Sequence, residues 1–404
     1  MHEKLKKRLS PFRHKSFRKF FVAQTLSMIG QWSHDLARSW IIVEATGSSG
    51  ALGNLNLAIA VPCLFLILQA GVIVDRTDIR RLIQRTKTLL GLSSLVLAAL
   101  TEFGHLEVWH LLVFGLIEGL VVSFDSPGFQ ALIVRLVPRE DFQQAIALNS
   151  TNFHTSRMLG PILAAWLMSW WGPSLVFLFD ALTYFLVAIV LINVDVKELP
   201  RKVVQQSSWK GIREGFRYIY ASSNLRYRVA QLLLTISCVY PLMVSVFRVF
   251  VQKKFNLDAS EFGTAFTFAA LGSMSGALTF AIFQPQKPIR ALWFGVPLVF
   301  VMLLVFPYLP SLWLTVSAMT LTGFGLYLTF ASLTVSMHLE VDESFRGRMS
   351  SVIGLNFAAL GPLMSFPWGH LADWMGPPRA ILLAALIFGT GSAALGFANA
   401  LQER

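Results

Sequence analysis

The chain has 404 residues, of which 54% are hydrophobic and 14% charged, and its mean hydropathy is +0.59. This composition excludes an ordinary soluble protein. The net charge of +12 does not require a nucleic-acid partner, because a basic face against anionic lipid headgroups also produces it. Both cysteines, Cys63 and Cys238, lie inside apolar stretches, which argues against a disulfide framework or a thiolate metal site.

Apolar stretches recur along almost the whole chain. A helix needs about 20 mostly apolar residues to cross the hydrocarbon core of a bilayer. Twelve candidate stretches follow one another, six on each side of a polar segment. In chain order, spans 1 to 12 are residues 19–44, 51–74, 88–102, 109–133, 144–169, 174–195, 227–251, 261–283, 291–307, 311–337, 348–371 and 379–399. We therefore predict an all-α integral membrane protein with twelve transmembrane helices in two six-helix bundles.

The polar segment divides the chain into three predicted parts. Residues 1–195 form an N-terminal bundle, residues 196–225 a cytoplasmic linker, and residues 226–404 a C-terminal bundle. Apolar side chains within the linker recur at helical spacing, which predicts an amphipathic helix lying on the inner leaflet. These side chains are Trp209, Ile212, Phe216 and Ile219.

Basic residues set the expected orientation. Lys and Arg concentrate in the N-terminal arm, in the linker and in alternate loops, including a predicted basic loop from Arg76 to Lys87. Because cytoplasmic loops carry an excess of Lys and Arg, this asymmetry predicts that both termini are cytoplasmic.

Two Gly-Pro pairs in the first half recur about half a chain length later. Gly160-Pro161 and Gly172-Pro173 are matched by Gly361-Pro362 and Gly376-Pro377. Two halves of the same topology predict a transporter built from parallel repeats, with its site near the midplane. The alternative is that Gly-Pro pairs simply mark helix kinks.

The loop between spans 2 and 3 carries a known signature. Residues 71–81, GVIVDRTDIRR, resemble the G-x-x-x-D-R-x-x-x-R-R/K loop of the major facilitator superfamily. Other stretches resemble its drug and siderophore exporter branch, which includes enterobactin exporters and multidrug efflux pumps. They are FRKFFVAQTLSMIGQW, ATGSSGALG, SFDSPGFQALIVRLVPRED and AIALNSTNFHTSRMLGP. The resemblance implies the major facilitator fold and transport by alternating access, but one fold carries many cargoes.

The same resemblance implies a latch that closes the cytoplasmic side. Its residues are Gly71, Asp75, Arg76 and Arg80, with Asp125 of span 4 as partner. The alternative is a basic loop that only fixes topology. The second half has no Asp-Arg pair in its equivalent loop, FQPQKPIRAL, so we expect an asymmetric latch. Phe129 stands where related exporters often carry an arginine.

Charged side chains inside predicted spans are the candidate functional residues, since burying one charge in lipid costs at least about 2.5 kcal/mol. Gln24, Gln31, Asp35 and Arg38 of span 1 share one helical face, and His34 is adjacent. This polar stripe predicts contact with other helices or with water. The alternative is that Asp35 and Arg38 only neutralise each other.

Three other spans add polar candidates. Glu118 and Asp125 lie on one face of span 4, and His154 and Arg157 lie in span 5. In the superfamily, spans 1, 4, 7 and 10 line the cavity. The resemblance therefore places Asp35, Arg38 and Glu118 near the aqueous path, with Arg157 within reach of Asp35. We interpret Asp180 of span 6 as a structural hydrogen-bonding group.

The predicted mechanism is alternating access driven by a proton gradient. Burial disfavours the charged form of a carboxylate unless a cation offsets it. Asp35 or Glu118 would thus carry the proton, His34 being the other candidate, and protonation would free Arg38 or Arg157. A charged first half facing a more aromatic second half suits an amphipathic or anionic cargo, such as a drug or a siderophore.

We expect a monomer in the bacterial inner membrane, with a small-molecule substrate, protons and membrane lipids as partners, and no nucleic acid, cofactor or metal. An importer or uniporter of the same fold remains open, as does a receptor or scaffold without transport. An enzyme is not expected, because no HExxH or GxSxG motif lies near His34 and Asp35 and no GxxxxGK[ST] loop is present.

Overall fold

A computed structural model describes residues 9–196, 217–220, 222–283, 285–342, 345, 349–350, 353–354 and 356–402. The described residues form α-helices, short 3-10 and π turns, and connections, without a β-strand. This described part of the chain contains thirteen α-helices: α1 Lys15–Thr46, α2 Ser49–Arg76, α3 Ile79–Glu102, α4 Val108–Arg135, α5 Phe142–Trp171, α6 Pro173–Ile192, α7 Ser223–Cys238, α8 Phe247–Phe255, α9 Ala259–Phe283, α10 Leu292–Val305, α11 Leu312–Glu340, α12 Gly361–Met375 and α13 Pro377–Gln402.

The helices follow the predicted spans in order. Helices α1 to α6 correspond to spans 1 to 6, and α7 with α8 corresponds to span 7, interrupted by the π turn Leu242–Val246. Helices α9 to α13 correspond to spans 8 to 12. By length and composition alone, eight helical segments of the described chain can cross a membrane, a group that leaves out α1, α3, α5 and α12. The helical membrane fold is therefore confirmed, and the count of twelve spans stays a prediction.

The predicted basic loop from Arg76 to Lys87 is wrong in its extent. Helix α3 begins at Ile79, because the side chain of Asp78 accepts a hydrogen bond from the backbone N–H of Arg81 at 3.2 Å. Most of the basic residues of this stretch therefore lie in the first turns of a helix. Lys87 is buried there, with 3% of its surface exposed. The amphipathic helix predicted in the linker falls mainly on residues outside the described part of the chain.

The first compact unit contains described residues 9–41, 61–196 and 259–264. Helix α3 packs along both α6 and α4. Phe17, Ile83, Leu132 and Val187 meet in a buried cluster contributed by α1, α3, α4 and α6. This packing brings the polar side chains of the same four helices into the interior of one unit.

The second compact unit contains residues 42–60, the described residues from 217 to 258, and those after 264. Its core includes Leu232 of α7 with Leu333 and Met337 of α11. Small residues allow backbones to approach closely, as expected between membrane helices. A Cβ added at Gly272 of α9 would lie 1.9 Å from the carbonyl oxygen of Thr320 in α11.

The repeated Gly-Pro pairs make matching contacts in the two halves. A Cβ at Gly160 would lie 2.3 Å from the Cβ of Trp32, and a Cβ at Gly361 would lie 2.7 Å from the ring of Tyr240. Gly172 and Gly376 both have positive φ, 74° and 89°, and each precedes a helix that starts with proline. Equivalent positions thus perform equivalent structural tasks, as expected of two repeats.

Candidate functional site

Arg38 is a buried cation shared by two carboxylates. It lies one turn after Asp35 on α1, and its Nη2 donates to Oδ1 of Asp35 at 3.0 Å. Its Nη1 donates to Oε2 of Glu118 on α4. Arg38 is 7% exposed, whereas the carboxylate side chains are more accessible. The predicted pairing of Asp35 with Arg38 therefore includes a second acid, so the group carries one negative charge when both acids are ionised.

A second polar group lies beside the first. Nδ1 of His34 is 2.9 Å from Oδ2 of Asp180 on α6 and 3.0 Å from the hydroxyl of Ser94 on α3. Ser94 also lies 2.9 Å from the same carboxylate oxygen. Asp180 is 1% exposed, which makes it one of the most deeply buried acids of the described chain.

Both groups line a small cavity inside the first unit. His34 and Asp180 border it, as do Arg38, Glu118 and Tyr184, and apolar side chains of α3 and α4 complete its wall. It offers about 20 Å³ to the centre of a water-sized sphere. A space of about 10 to 15 Å³ by this measure holds one water molecule, so the cavity has room for a water among polar partners.

A third buried pair links α3 to α4. Nζ of Lys87 lies 2.9 Å from Oδ2 of Asp125, and the hydroxyl of Thr86 donates to Oδ1 at 2.6 Å. The Lys87 ammonium also lies 5.3 Å from the ring centre of Tyr184. Asp125, which the resemblance assigns to the cytoplasmic latch, is therefore paired with Lys87 in this structure.

The remaining latch residues lie at the end of α2 and the start of α3. The guanidinium of Arg80 donates to the carbonyl oxygen of Ile192 at the end of α6, and Arg76 is exposed at the last position of α2. Gly71 and Asp75 lie in α2, but the side chain of Asp75 is outside the described part of the structure. The latch therefore stays a prediction.

Arg157 and His154 form part of an aromatic group on α5. The Arg157 guanidinium lies 5.5 Å from the ring centre of Trp32 on α1. The ring of Phe153 contacts Trp32 at 5.6 Å and His154 at 5.5 Å between centroids. Among the described residues, the cavity lining includes Gln31, His34, Arg38 and Glu118 of the predicted site, but not Asp35, His154 or Arg157.

Asp180, which we interpret from the sequence as a structural hydrogen-bonding group, does bond to His34 and Ser94, and it also lines the cavity. A lone acid in the apolar sequence of α6 is the signal for such a buried polar group. Lys87 was counted as a loop residue. The Asp78 N-cap was the signal that α3 starts earlier and places Lys87 two turns inside the helix. Within the described residues, no group of three or more His, Cys, Asp or Glu is positioned to hold a metal ion.

The N-terminal arm is attached to the turn before α5. Ser10 donates to Oδ1 of Asp141, and Nε2 of His14 lies 2.9 Å from Oδ2 of the same carboxylate. The hydrogen bonds from Ser10 and His14 lower the pKa of Asp141 below its ordinary value. This contact lies outside the predicted spans.

The fold and the buried charges of its helices are those expected of a membrane transporter of the major facilitator type. The sequence profile of one family, described as a transmembrane secretion effector, matches residues 6–403. The chain therefore belongs to this family, which is one of transporters and not of enzymes. The resemblance inferred from the signature loop is confirmed.

Curated relatives cover most of the chain at low identity. The chain is 22% identical to the staphyloferrin A transporter of Staphylococcus aureus over 91% of its own length and 92% of the relative. It is 24% identical to the multidrug efflux pump Tap of Mycolicibacterium fortuitum, with 87% and 88% covered. It is 26% identical to the enterobactin exporter EntS of Shigella boydii, with 66% and 63% covered.

Solved structures show the same fold. A bacterial homologue of the human lysosomal transporter Spinster, in an inward-facing and unoccupied conformation, matches with a TM-score of 0.74 over 98% of both chains at 16% identity. A bacterial homologue of the iron transporter ferroportin, in an inward-facing state, matches with a TM-score of 0.68 at 17% identity, covering 94% of this chain and 98% of the other.

Proposed function

We propose that this transporter uses a proton gradient to export a small amphipathic or anionic molecule by alternating access. The observation that carries the proton coupling is the pairing of one buried arginine with two acids, Asp35 and Glu118. With both acids ionised the group holds a net negative charge in a low-dielectric interior, and one added proton neutralises it. Proton uptake is therefore favoured where it restores charge balance.

Protonation of Glu118 or Asp35 changes what Arg38 binds. A neutral acid no longer attracts the guanidinium as an anion does, so Arg38 keeps one ionic partner and gains freedom to move. Release of the proton on the other side of the membrane restores the second ion pair. Because Arg38 lies on α1 and Glu118 on α4, protonation of Glu118 alters the attraction between the two helices, which couples proton binding to a conformational change.

Arg157 is the candidate contact for an anionic cargo. Its guanidinium is half-buried over Trp32, and a planar guanidinium suits carboxylate or catecholate groups. The neighbouring Phe153 and His154 offer aromatic surface for an apolar part of the same molecule. Relatives named for the transport of staphyloferrin A and enterobactin, and for multidrug efflux, support a siderophore-like compound or a drug. Import or uniport of another metabolite is the rival.

Orientation and gating complete the proposal. The basic residues favour an inner-membrane protein with both termini in the cytoplasm. In that orientation Asp75, Arg76 and Arg80 lie on the cytoplasmic side, where they would form the latch that closes it. We expect the monomer to be the working unit, with lipid headgroups against the basic side.

The experiment compares metabolites in the source organism with and without this gene, in iron-replete and iron-poor medium. A compound that accumulates in the deletion cells and disappears from their medium identifies the cargo and establishes export. Complementation with wild type should restore secretion, whereas Arg38→Ala and Glu118→Gln should not. Glu102→Gln, at the end of α3 where the carboxylate accepts from Ser174, is the matched control and should restore it. Loss of uptake in the deletion strain would contradict export.

A further inference from the structure

His34 and Asp180 line the same cavity as Arg38 and Glu118, and the proton exchange at Arg38 leaves them unused. They come from α1 and α6 and meet at 2.9 Å. An ionised carboxylate only accepts hydrogen bonds, so Nδ1 of His34 carries the proton of this contact. Nε2 is then the basic nitrogen of the ring, which makes His34 able to take up a further proton.

The carboxylate of Asp180 depends on His34 for its charge balance. Oδ2 is bound by His34 and Ser94, whereas Oδ1 is buried and has no hydrogen-bond partner within the described residues. A Cβ added at Gly30 would lie 3.0 Å from Oδ1, so this oxygen faces a part of α1 that has no side chain. An anion that is only partly hydrogen-bonded is costly to bury unless a cation lies beside it. A proton added to His34 would supply that cation.

The charged groups around the cavity do not balance without added protons. Asp35 and Arg38 lie on α1, Glu118 on α4 and Asp180 on α6, and the titratable Tyr184 also belongs to α6. On α3 the facing polar groups are the hydroxyls of Ser93 and Ser94, and Lys87, near Tyr184, is already paired with Asp125. Among the groups that line the cavity, Glu118 and Asp180 outweigh Arg38 by one charge when both acids are ionised and His34 is neutral. One added proton removes that excess.

We propose that His34 and Asp180 form a second proton site, which exchanges protons with the Arg38-bound acids through the water-sized cavity. In the exchange, a proton on Glu118 passes to the water, and the water gives one of its protons to His34. Glu118 returns to the carboxylate that binds Arg38, and His34 becomes the cation that binds Asp180. The number of protons and the total charge of the cluster are unchanged. This inference rests on the proton coupling proposed above.

The test follows protons directly and needs no cargo. Full-length protein in lipid nanodiscs is titrated with pH while infrared difference spectra record the protonated carboxyl and imidazolium bands. We expect an imidazolium signal in the wild type that His34→Gln removes, which assigns it. Asp180→Asn should abolish that signal over the same pH range, and Asp180→Glu, which keeps the acid, should retain it. If Asp180→Asn fails to fold, Asp180→Glu and His34→Gln still decide the assignment.

A separate variant, Glu118→Gln, tests the proton exchange between the two sites. Glu118→Gln should move the pH range in which His34 is protonated, because it removes the acid across the cavity, whereas Glu102→Gln should leave that range unchanged. A wild type without a His34 signal, or a signal indifferent to Asp180→Asn and Glu118→Gln, overturns the second proton site. Transport driven by a pH gradient without any His34 signal would remove this site and leave proton coupling intact. A His34 signal in a protein whose transport does not depend on pH would support the second proton site and contradict proton-coupled transport.

Discussion

Lys87 of α3 and Asp125 of α4 form a buried ion pair, with 2.9 Å between Nζ and Oδ2. The pair lies in the same four-helix interior as the cavity, and its lysine approaches the ring of Tyr184, which borders that cavity. The two opposite charges compensate each other, which allows both residues to be buried among apolar helices. The pair also gives a direct test of the packing of α3 against α4.

Removing one partner of this pair should be much worse than removing both. Lys87→Met leaves Asp125 as an unpaired buried anion, and breaking a buried pair in this way costs about 3 to 5 kcal/mol. Lys87→Met combined with Asp125→Asn should recover most of that stability, because no charge is left unpaired. Thermal unfolding of the purified protein, followed by size-exclusion chromatography, measures both. A double variant as unstable as the sum of the single variants would contradict the pairing.

Gly160 tests the close contact between α5 and α1. The Cβ of Gly160→Ala would lie 2.3 Å from the Cβ of Trp32, so the helices must separate. Overpacking of this kind costs about 1 to 3 kcal/mol. Gly396→Ala is the control, because no atom lies within 4 Å of the added Cβ on α13. A Gly160→Ala protein as stable as Gly396→Ala would show that the contact is looser than described.

Asp373 caps the N-terminus of α2 from another helix of the second unit. It lies on α12 and accepts from the backbone N–H groups of Ser49 and Gly50 at 2.8 and 2.9 Å, at the first turn of α2. Asp373→Ala leaves both donors without this acceptor, and loss of a cap costs about 0.5 to 2 kcal/mol. Asp373→Asn, which keeps one oxygen, should lose less. Hydrogen exchange at the start of α2 gives the readout, and unchanged protection in Asp373→Ala would contradict the cap.

The contact of Asp141 with the N-terminal arm predicts a pH dependence. Because the pKa of Asp141 is lowered in the folded protein, its stabilising effect is complete above the ordinary aspartate value of about 3.9 and disappears as pH falls through the lowered value. Asp141→Asn should therefore release the arm at pH 7 and differ little from wild type in strong acid. Limited proteolysis between residues 9 and 19 measures release. Equal cleavage of both proteins at pH 7 would contradict the contact between Asp141 and the arm.

The helical architecture was predictable because each membrane helix corresponds to an apolar stretch of about 20 residues in the sequence. The triad of Asp35, Arg38 and Glu118 was partly predictable too, since two members share a helical turn and the third is an acid inside another span. Each charge inside a span needs a partner, so their proximity was a reasonable expectation.

The contact between His34 and Asp180 could not be predicted from the sequence. The residues are 146 positions apart, and the contact exists only because α6 packs beside α3 and brings its acid to Ser94 and His34. Side-chain periodicity gives the face of each helix but not its neighbour. The boundary of α3 was missed for a different reason, because four basic residues outweighed a single capping aspartate in the interpretation of the loop.

Proteoliposomes measure whether the Arg38 group couples transport to protons. Purified protein is reconstituted with the compound that the metabolite comparison identifies, and its movement is followed with and without a pH gradient. We expect a gradient to accelerate transport by wild type and by Glu102→Gln, and to have no effect on Glu118→Gln or Asp35→Asn. Full gradient-driven transport in both of these variants would contradict it.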